Sequence, residues 1–510
     1  YHLLSNSLHI ASAVILFLLF ARLLSGMPAE GRANQGPGRA GMLMAGLASF
    51  FWLVHPVQPE AVAYIAGRGD PLAALFMFAS LYLWLRAEGV IAALDGDSPR
   101  PALWRGWSVL AAILALASRE TSVFLPAYLV LLMMVFQYCD PFWLSLKQSL
   151  LRAWPIILLS LIYIVLRLTV LNFDNTLNFY AYENEYTRHV SVRLWTFLSA
   201  LPEYLRLTFF PAGLHFEHSV PIQLSPWKAE VVAGALLLSG SITWVIFGWR
   251  KGNRLPFLCV GLFFIPFALS SGVLVPINSV FSEHWLYLCL VGAGLMLAVY
   301  GMRLIGYVSR ISTGRLLPSI LVAAFTAYGL FLAGYTVGRN ALVTNPEKLY
   351  LEVLEYEPGN VRILNNLANV YARQGKQESA ERYWLEAADA DPSQAWPHHN
   401  LANLELQRGN EDQAEALYLK AISLRPAHEV SYRNLAGLLM RQERHENALE
   451  VLQALLGLAP GDPVIYYNLA KTYHALGRDS EARTALDEGQ QFVGSAEGME
   501  GFNQLRAQLQ

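Results

Sequence analysis

The chain has little cysteine, and its N-terminal part has little charge. Cys139, Cys259 and Cys289 are the only cysteines among 510 residues. Three in apolar settings are too few for a disulfide framework or a metal cluster, so all three read as packing residues. Residues 1–342 contain no HExxH spacing, no GxSxG elbow and no Walker loop, which argues against a nucleotide-hydrolysing transporter; no metal site is expected. Charge at mid-membrane depth is scarce too. Arg167 is the one intramembrane charge expected, and it is able to snorkel outward, which disfavours an ion-coupled carrier.

What is present divides in two. Residues 1–342 hold 22 of the 37 Lys+Arg and 15 of the 39 Asp+Glu, a net of +7, while 343–510 hold 15 and 24, a net of −9. A chain of this length exceeds one ordinary domain, and the break near residue 342 is read as a domain boundary. The first part is one apolar run after another, several reaching the ~20 residues needed to cross a bilayer. Ten spans are expected, near 6–24, 41–55, 71–86, 103–118, 121–138, 153–171, 229–248, 255–273, 285–301 and 316–337. The expected fold is all-α, a polytopic membrane bundle followed by an α-solenoid.

One set of connecting loops carries Arg22, Arg32, Arg39, Arg86, Arg100, Arg105, Lys147, Arg152, Arg250, Lys251, Arg254, Arg303, Arg310 and Arg315, 14 of the 22 basic residues of this part. The positive-inside rule makes those loops cytoplasmic. The other loops, and everything after residue 337, then face outward. With them go His2, His9, His55, His189, His215, His218 and His284, every histidine of this part. Ten of its fifteen carboxylates follow: Glu60, Asp70, Glu120, Asp174, Glu183, Glu185, Glu203, Glu217, Glu230 and Glu283. Any chemistry is expected on the outer side.

Four outer stretches are candidates for a site. In 52–71, Pro56, Pro59 and two glycines forbid one continuous helix, and His55, Glu60, Arg68 and Asp70 gather in the turn. Either they form a site on a substrate path, or the loop is solvated and Arg68 pairs with Asp70. Arg119 and Glu120, in a tight turn, are explained as well by a structural Arg–Glu pair as by ligand contact. Residues 172–228 form a long connection whose segment 190–211 reads as an amphipathic interfacial helix. In 276–288, Glu283 and His284 stand at the head of a span, where a lone histidine is more often structural than catalytic.

Residues 343–510 repeat with a period of 34. Asn-Leu-Ala recurs at 366–368, 400–402, 434–436 and 468–470; Ala recurs at 380, 414, 448 and 482; Pro recurs at 358, 392, 426 and 460. That spacing is the tetratricopeptide (TPR) pattern, four full repeats from about residue 360, with a half repeat over 345–357 and a capping helix over 494–510. Such a solenoid presents a groove for extended peptide or a partner's helix. The column Asn366, Asn400, Asn434 and Asn468 is expected to line it and hold peptide backbone, unless each amide caps its own loop.

Taken together, the chain resembles the transmembrane-and-TPR protein O-mannosyltransferase family and its bacterial relatives. The resemblance rests on His55-Pro56-x-x-x-Glu60-Ala61-Val62-Ala63-Tyr64, then Gly67-Arg68-x-Asp70. Arg119-Glu120 stands where relatives have Lys-Glu, and Glu283-His284-x-x-Tyr287 lies in the late outer loop. It implies a GT-C membrane glycosyltransferase that moves a sugar from a polyprenyl phosphate to a Ser/Thr hydroxyl of a protein. On that model His55, Arg68, Arg119, Glu120 and His284 bind substrate, with Arg68, Arg119 and His284 on the leaving phosphate. Glu60, Asp70 and Glu283 are the catalytic carboxylates, orienting the acceptor or those cations. The lipid-linked sugar is the substrate, so no cofactor is expected; the other partners are membrane lipid and an acceptor polypeptide, and no nucleic acid. In such enzymes the catalytic acid sits in the first outer loop, whereas this chain begins at what matches the second span. The base is therefore expected upstream of Tyr1, unless Glu60 or Asp70 has taken its role or the protein is not an enzyme.

Two other functions compete. One is a non-catalytic scaffold, in which the spans anchor a repeat array that recruits envelope or secretion partners. The other is a ligase moving a whole lipid-linked oligosaccharide. Outer loops without cysteine pairs favour a bacterial inner membrane with periplasmic repeats over an endoplasmic reticulum.

Overall fold

The computed structural model describes residues 2–25, 38–62, 69–91, 100–137, 141–170, 184–216, 218, 220–276, 280–312 and 316–509. Among them every regular element is helical. The chain divides into two compact units, Tyr1–Asn345 and Pro346–Gln510.

The first unit is a bundle. Its helices are α1 His2–Ser25, α2 Gly38–Val54, α3 Gln58–Val62, α4 Gly69–Ala87, α5 Pro101–Ser118, α6 Leu125–Phe136, α7 Phe142–Thr169, α8 Glu185–Arg188, α9 Val190–Phe209, α10 Ala229–Arg250, α11 Leu255–Phe264, α12 Phe267–Ser270, α13 Leu286–Ile311 and α14 Leu316–Val343. Among the described residues, six helices are long and apolar enough to cross a membrane: His2–Leu24, Pro101–Ser118, Phe142–Thr169, Ala229–Arg250, Glu283–Ile311 and Leu316–Val343. Arg39–Val54, Glu120–Phe136 and Leu255–Phe264 are apolar but shorter. Several expected spans differ from the helices, the ninth running on to Ile311. The sixth starts at Phe142, ahead of the expected 153. The eighth breaks between α11 and α12 at Pro266, whose ring removes a backbone donor and crowds the preceding turn.

Apolar side chains gain little by leaving lipid for one another, so close backbone approach and buried polar pairs join such helices. A Cβ on Gly292 would lie 2.5 Å from the Cys259 carbonyl oxygen, and one on Gly294 would lie 2.7 Å from that of Ala48. Glycine thus lets α13 press against α11 on one side and α2 on the other. α4 and α5 are joined by reciprocal bonds, Ser80 Oγ donating to the Ser108 carbonyl (2.9 Å) and Ser108 Oγ to that of Ser80 (2.8 Å).

At one end of the bundle, Glu88 accepts from Arg105 at 2.8 Å and meets Arg152 at 3.6 Å. There Arg86 also lies 4.1 Å over the Trp104 ring. Arg167, expected alone within a span, reaches the Glu120 carboxylate at 3.7 Å and the Tyr163 hydroxyl at 3.0 Å. Snorkelling thus gives it an acidic partner.

The second unit is a TPR solenoid: Pro346–Tyr356, four helix pairs running from Val361–Arg373 to Asp479–Gln490, and the final helix Ala496–Gln508. Ala380, Ala414, Ala448 and Ala482 are all fully buried at the helix crossings, where any larger side chain would force the pair apart. Pro358, Pro392, Pro426 and Pro460 sit in the turns between repeats.

Candidate functional site

Three separated stretches build one polar centre at the end of the bundle that carries α3. The chain leaves α2 at His55, turns at Pro56, and places Glu60 in the first turn of α3. Ser282 is extended, and Glu283 and His284 follow in a single tight turn before α13. One Glu60 oxygen accepts from the His284 backbone N–H (2.8 Å). The other accepts from the Ser282 hydroxyl (3.1 Å) and lies 3.0 Å from His284 Nδ1. Ser282 Oγ and His284 Nδ1 are themselves 2.6 Å apart.

Asp70, in the first turn of α4, meets Arg119 Nε at 3.1 Å. The two come together because Gly69 has no side chain: a Cβ there would lie 2.9 Å from the Ser118 carbonyl oxygen. Asp70 lies one residue ahead of the span expected over 71–86. Burial pushes its carboxyl above the usual carboxylate range, and the Arg119 guanidinium pulls the other way; the charges of His284, Glu120 and Glu60 also act on it. Arg119 and His284 are each 28% exposed, their carboxylate partners 11%. The cations therefore form the open side of the centre, and the acids lie beneath.

The expected Arg119–Glu120 pair is replaced by two longer-range ones. Arg119 is extended (φ −157, ψ 141), so its side chain and that of Glu120 diverge. The first pairs with Asp70, the second with Arg167. Arg68 lies outside the described residues. His55 is completely buried, with Nε2 3.1 Å from the Thr208 carbonyl and Nδ1 accepting from the Val57 N–H at 3.3 Å. That is the setting of a histidine that holds the turn. Tyr287, the last residue of the late motif, is structural as well: its hydroxyl lies 2.9 Å from His9 Nδ1, and its carbonyl accepts from Trp52 Nε1 at 2.7 Å.

Glu283 points away from its neighbour. It is 1% exposed and accepts from the His215 N–H (2.6 Å). His218 Nε2 lies 2.8 Å from it and the Arg339 guanidinium 3.9 Å. Adjacent residues in a tight turn diverge, so Glu283 and His284 serve two clusters. Sequence reasoning set His215 and His218 on the outer side without assigning them to a site, and it missed Ser282 and Arg339. The His-x-x-His spacing at 215–218 was the one local signal.

In the repeats, Asn400 Nδ2 donates to Asn365 Oδ1 and Asn434 Nδ2 to Asn403 Oδ1, each at 2.8 Å. The column links one repeat to the next at these positions instead of capping its own loop. Asn366 and Asn468 are half-buried at the corresponding positions. Burial pushes His399 down to about 4 and lowers His398 and His428.

Residues 349–382, 399–463 and 439–492 each match a tetratricopeptide-repeat family model. Among solved structures, a crystal structure of MamA protein is 20% identical over 29% of this chain and 80% of its own, with a TM-score of 0.26. MamA 41-end from Desulfovibrio magneticus RS-1 is 21% identical over 29% and 84%, TM-score 0.27. Pseudomonas aeruginosa pilF is 18% identical over 32% and 83%, TM-score 0.28. No curated protein matches the chain. The class is therefore a helical protein with helices long enough to span a membrane and a C-terminal TPR unit, a repeat type that binds other proteins.

Proposed function

We propose that this chain is a membrane glycosyltransferase. On this account it moves a sugar from a polyprenyl phosphate to a Ser/Thr hydroxyl of a protein, and its repeats hold the acceptor. The observation that carries the proposal is the convergence of Glu60, Asp70, Arg119 and His284 on one centre, cations toward solvent and carboxylates beneath. Transfer from a phosphate requires positive charge where the leaving oxygen develops negative charge, and a carboxylate to take the hydroxyl proton. Arg119 and His284 are the phosphate partners, joined by Arg68. Glu60 orients His284 through its backbone and ring. Asp70, whose burial favours proton uptake, is the carboxylate suited to accept the proton or to steady Arg119.

A non-catalytic scaffold would use the same repeats and has no need of this centre. The test is transfer of labelled monosaccharide from a polyprenyl phosphate to a Ser/Thr peptide by the intact polypeptide in proteoliposomes. Glu60→Ala and Arg68→Ala are expected to abolish transfer while the protein stays in the membrane. Full activity in both variants refutes the assignment. Preference for an oligosaccharide donor would replace it with the ligase.

A further inference from the structure

Two histidines that the proposed function leaves unused meet Glu283, the carboxylate next to His284. We propose that His215, His218 and Glu283 form a binding site for one divalent first-row transition metal, of the Zn²⁺ type. The potential ligand atoms of the three residues all lie within 4.8 Å of one another. His215 and His218 lie on the connection between α9 and α10; their rings pack at a tilt, centroids 3.8 Å apart and planes 30° apart. Glu283 arrives from the turn before α13, and His218 Nε2 lies 2.8 Å from its Oε1.

Three features suit a metal better than a hydrogen-bonded pair alone. First, the set is nearly dry, with His215 8% and Glu283 1% exposed. Metals are ligated by the neutral imidazole, and a metal held there would be shielded from water. Second, His215 Nδ1 lies 2.8 Å from the Gly213 carbonyl, which accepts the proton of that nitrogen and leaves the lone pair on Nε2. A ligating histidine is commonly oriented by such a carbonyl. Third, Glu283 is steered from behind: Arg339 stands 3.9 Å from Oε2, and its Nη1 donates to the Leu214 carbonyl at 2.7 Å. One arginine thus fixes both the carboxylate and the histidine-bearing connection.

Two imidazoles and a carboxylate make a three-ligand set that leaves a fourth position open on Zn²⁺. Mg²⁺ and Ca²⁺, which prefer oxygen, fit it poorly. Bonds of about 2.0–2.1 Å place tetrahedral ligand atoms roughly 3.3 Å apart. The metal would therefore enter between His218 Nε2 and Glu283 Oε1, replacing their hydrogen bond and widening the gap by about half an ångström. Binding releases any proton held by that pair.

The test needs no activity. The intact polypeptide, purified in detergent without a histidine tag, is stripped with chelator and titrated with Co²⁺. Elemental analysis after Zn²⁺ reloading and dialysis gives the stoichiometry. One metal per chain is expected, with visible d–d absorption for Co²⁺. Loss of at least tenfold in affinity is expected in His215→Ala, His218→Ala and Glu283→Gln, while His189→Ala, at an exposed position, binds as the wild type does. No d–d absorption and less than stoichiometric Zn²⁺ in the wild type would overturn the site whatever the variants do. So would variants that elute as monodisperse particles and bind unchanged.

Discussion

Position 443 is where the repeat unit departs from its own pattern, and the departure has a calculable cost. Gly375, Gly409 and Gly477 end the first helix of their repeats with φ of 76, 84 and 73; at the corresponding position Glu443 has φ 58. A left-handed residue there lets the chain turn into the second helix. In the third repeat the Arg444 N–H bonds the Leu439 carbonyl at 2.9 Å, as the Asn410 N–H bonds that of Glu405 in the second. Holding an L-residue in this region costs about 1–2 kcal/mol, and glycine gives back roughly 0.5–1 through unfolded-state entropy. Glu443→Gly is therefore expected to stabilise the repeat unit by about 0.5–1 kcal/mol, a rise of roughly 1–4 °C in Tm for a unit of this size. The assay is thermal and urea melting of residues 346–510 followed by far-UV circular dichroism. Glu443→Ala separates backbone from side-chain effects: it keeps the Cβ and should not reproduce the gain. Gly409→Ala should lower Tm by a similar amount. A Glu443→Gly protein no more stable than wild type, or an Ala variant equally stabilised, would refute the strain argument.

Three further outcomes are expected. The buried His399 titrates near 4 in the folded unit and near 6.5 unfolded. Its contribution is thus fully present above about 6.5 and is lost as pH falls toward 4, at up to about 1.4 kcal/mol per pH unit. Urea midpoints of residues 346–510 should fall between pH 7 and 5, less steeply in His399→Gln; equal slopes would exclude His399 as a cause. Gly294→Leu drives a side chain into the Ala48 carbonyl and should cost roughly 1–3 kcal/mol, read as earlier thermal aggregation in detergent. Gly294→Ala should be milder, and a Leu variant as stable as wild type would show that the α2–α13 contact is loose. Gly69→Val should separate Asp70 from Arg119 and lower transfer without loss of protein from the membrane; unchanged transfer would mean that this pair is dispensable.

The large elements were legible because each rests on a short-range pattern. The 34-residue spacing of Ala380, Ala414, Ala448 and Ala482 reports helix crossings directly, since only a small side chain fits there. Apolar runs reported the bundle helices for the same reason. Proline at 266, read along the sequence as part of a span, breaks the helix because a run of hydropathy does not register a missing backbone donor. Of the polar centre, Glu60, Asp70, Arg119 and His284 were legible as candidates, but Ser282 and the pairing were not. Arg119 and Glu120 are adjacent, yet each finds its partner on another helix, because tertiary packing decides which way an extended residue points. His55 shared a motif with Glu60 but lies under the turn, where backbone groups occupy both ring nitrogens. The meeting of His215 and His218 with Glu283 joins residues more than sixty positions apart, which no local spacing reports.

Donor binding tests the central claim most directly. The intact polypeptide in nanodiscs is titrated with a fluorescent polyprenyl-phosphate monosaccharide, with Arg119→Ala and His284→Ala alongside. Saturable binding by the wild type is expected, competed by unlabelled donor and weakened at least tenfold in both variants, whose cations face the open side of the centre. Binding that does not saturate, or that both variants keep in full, would contradict the glycosyltransferase account and leave the repeats as the functional part of the chain.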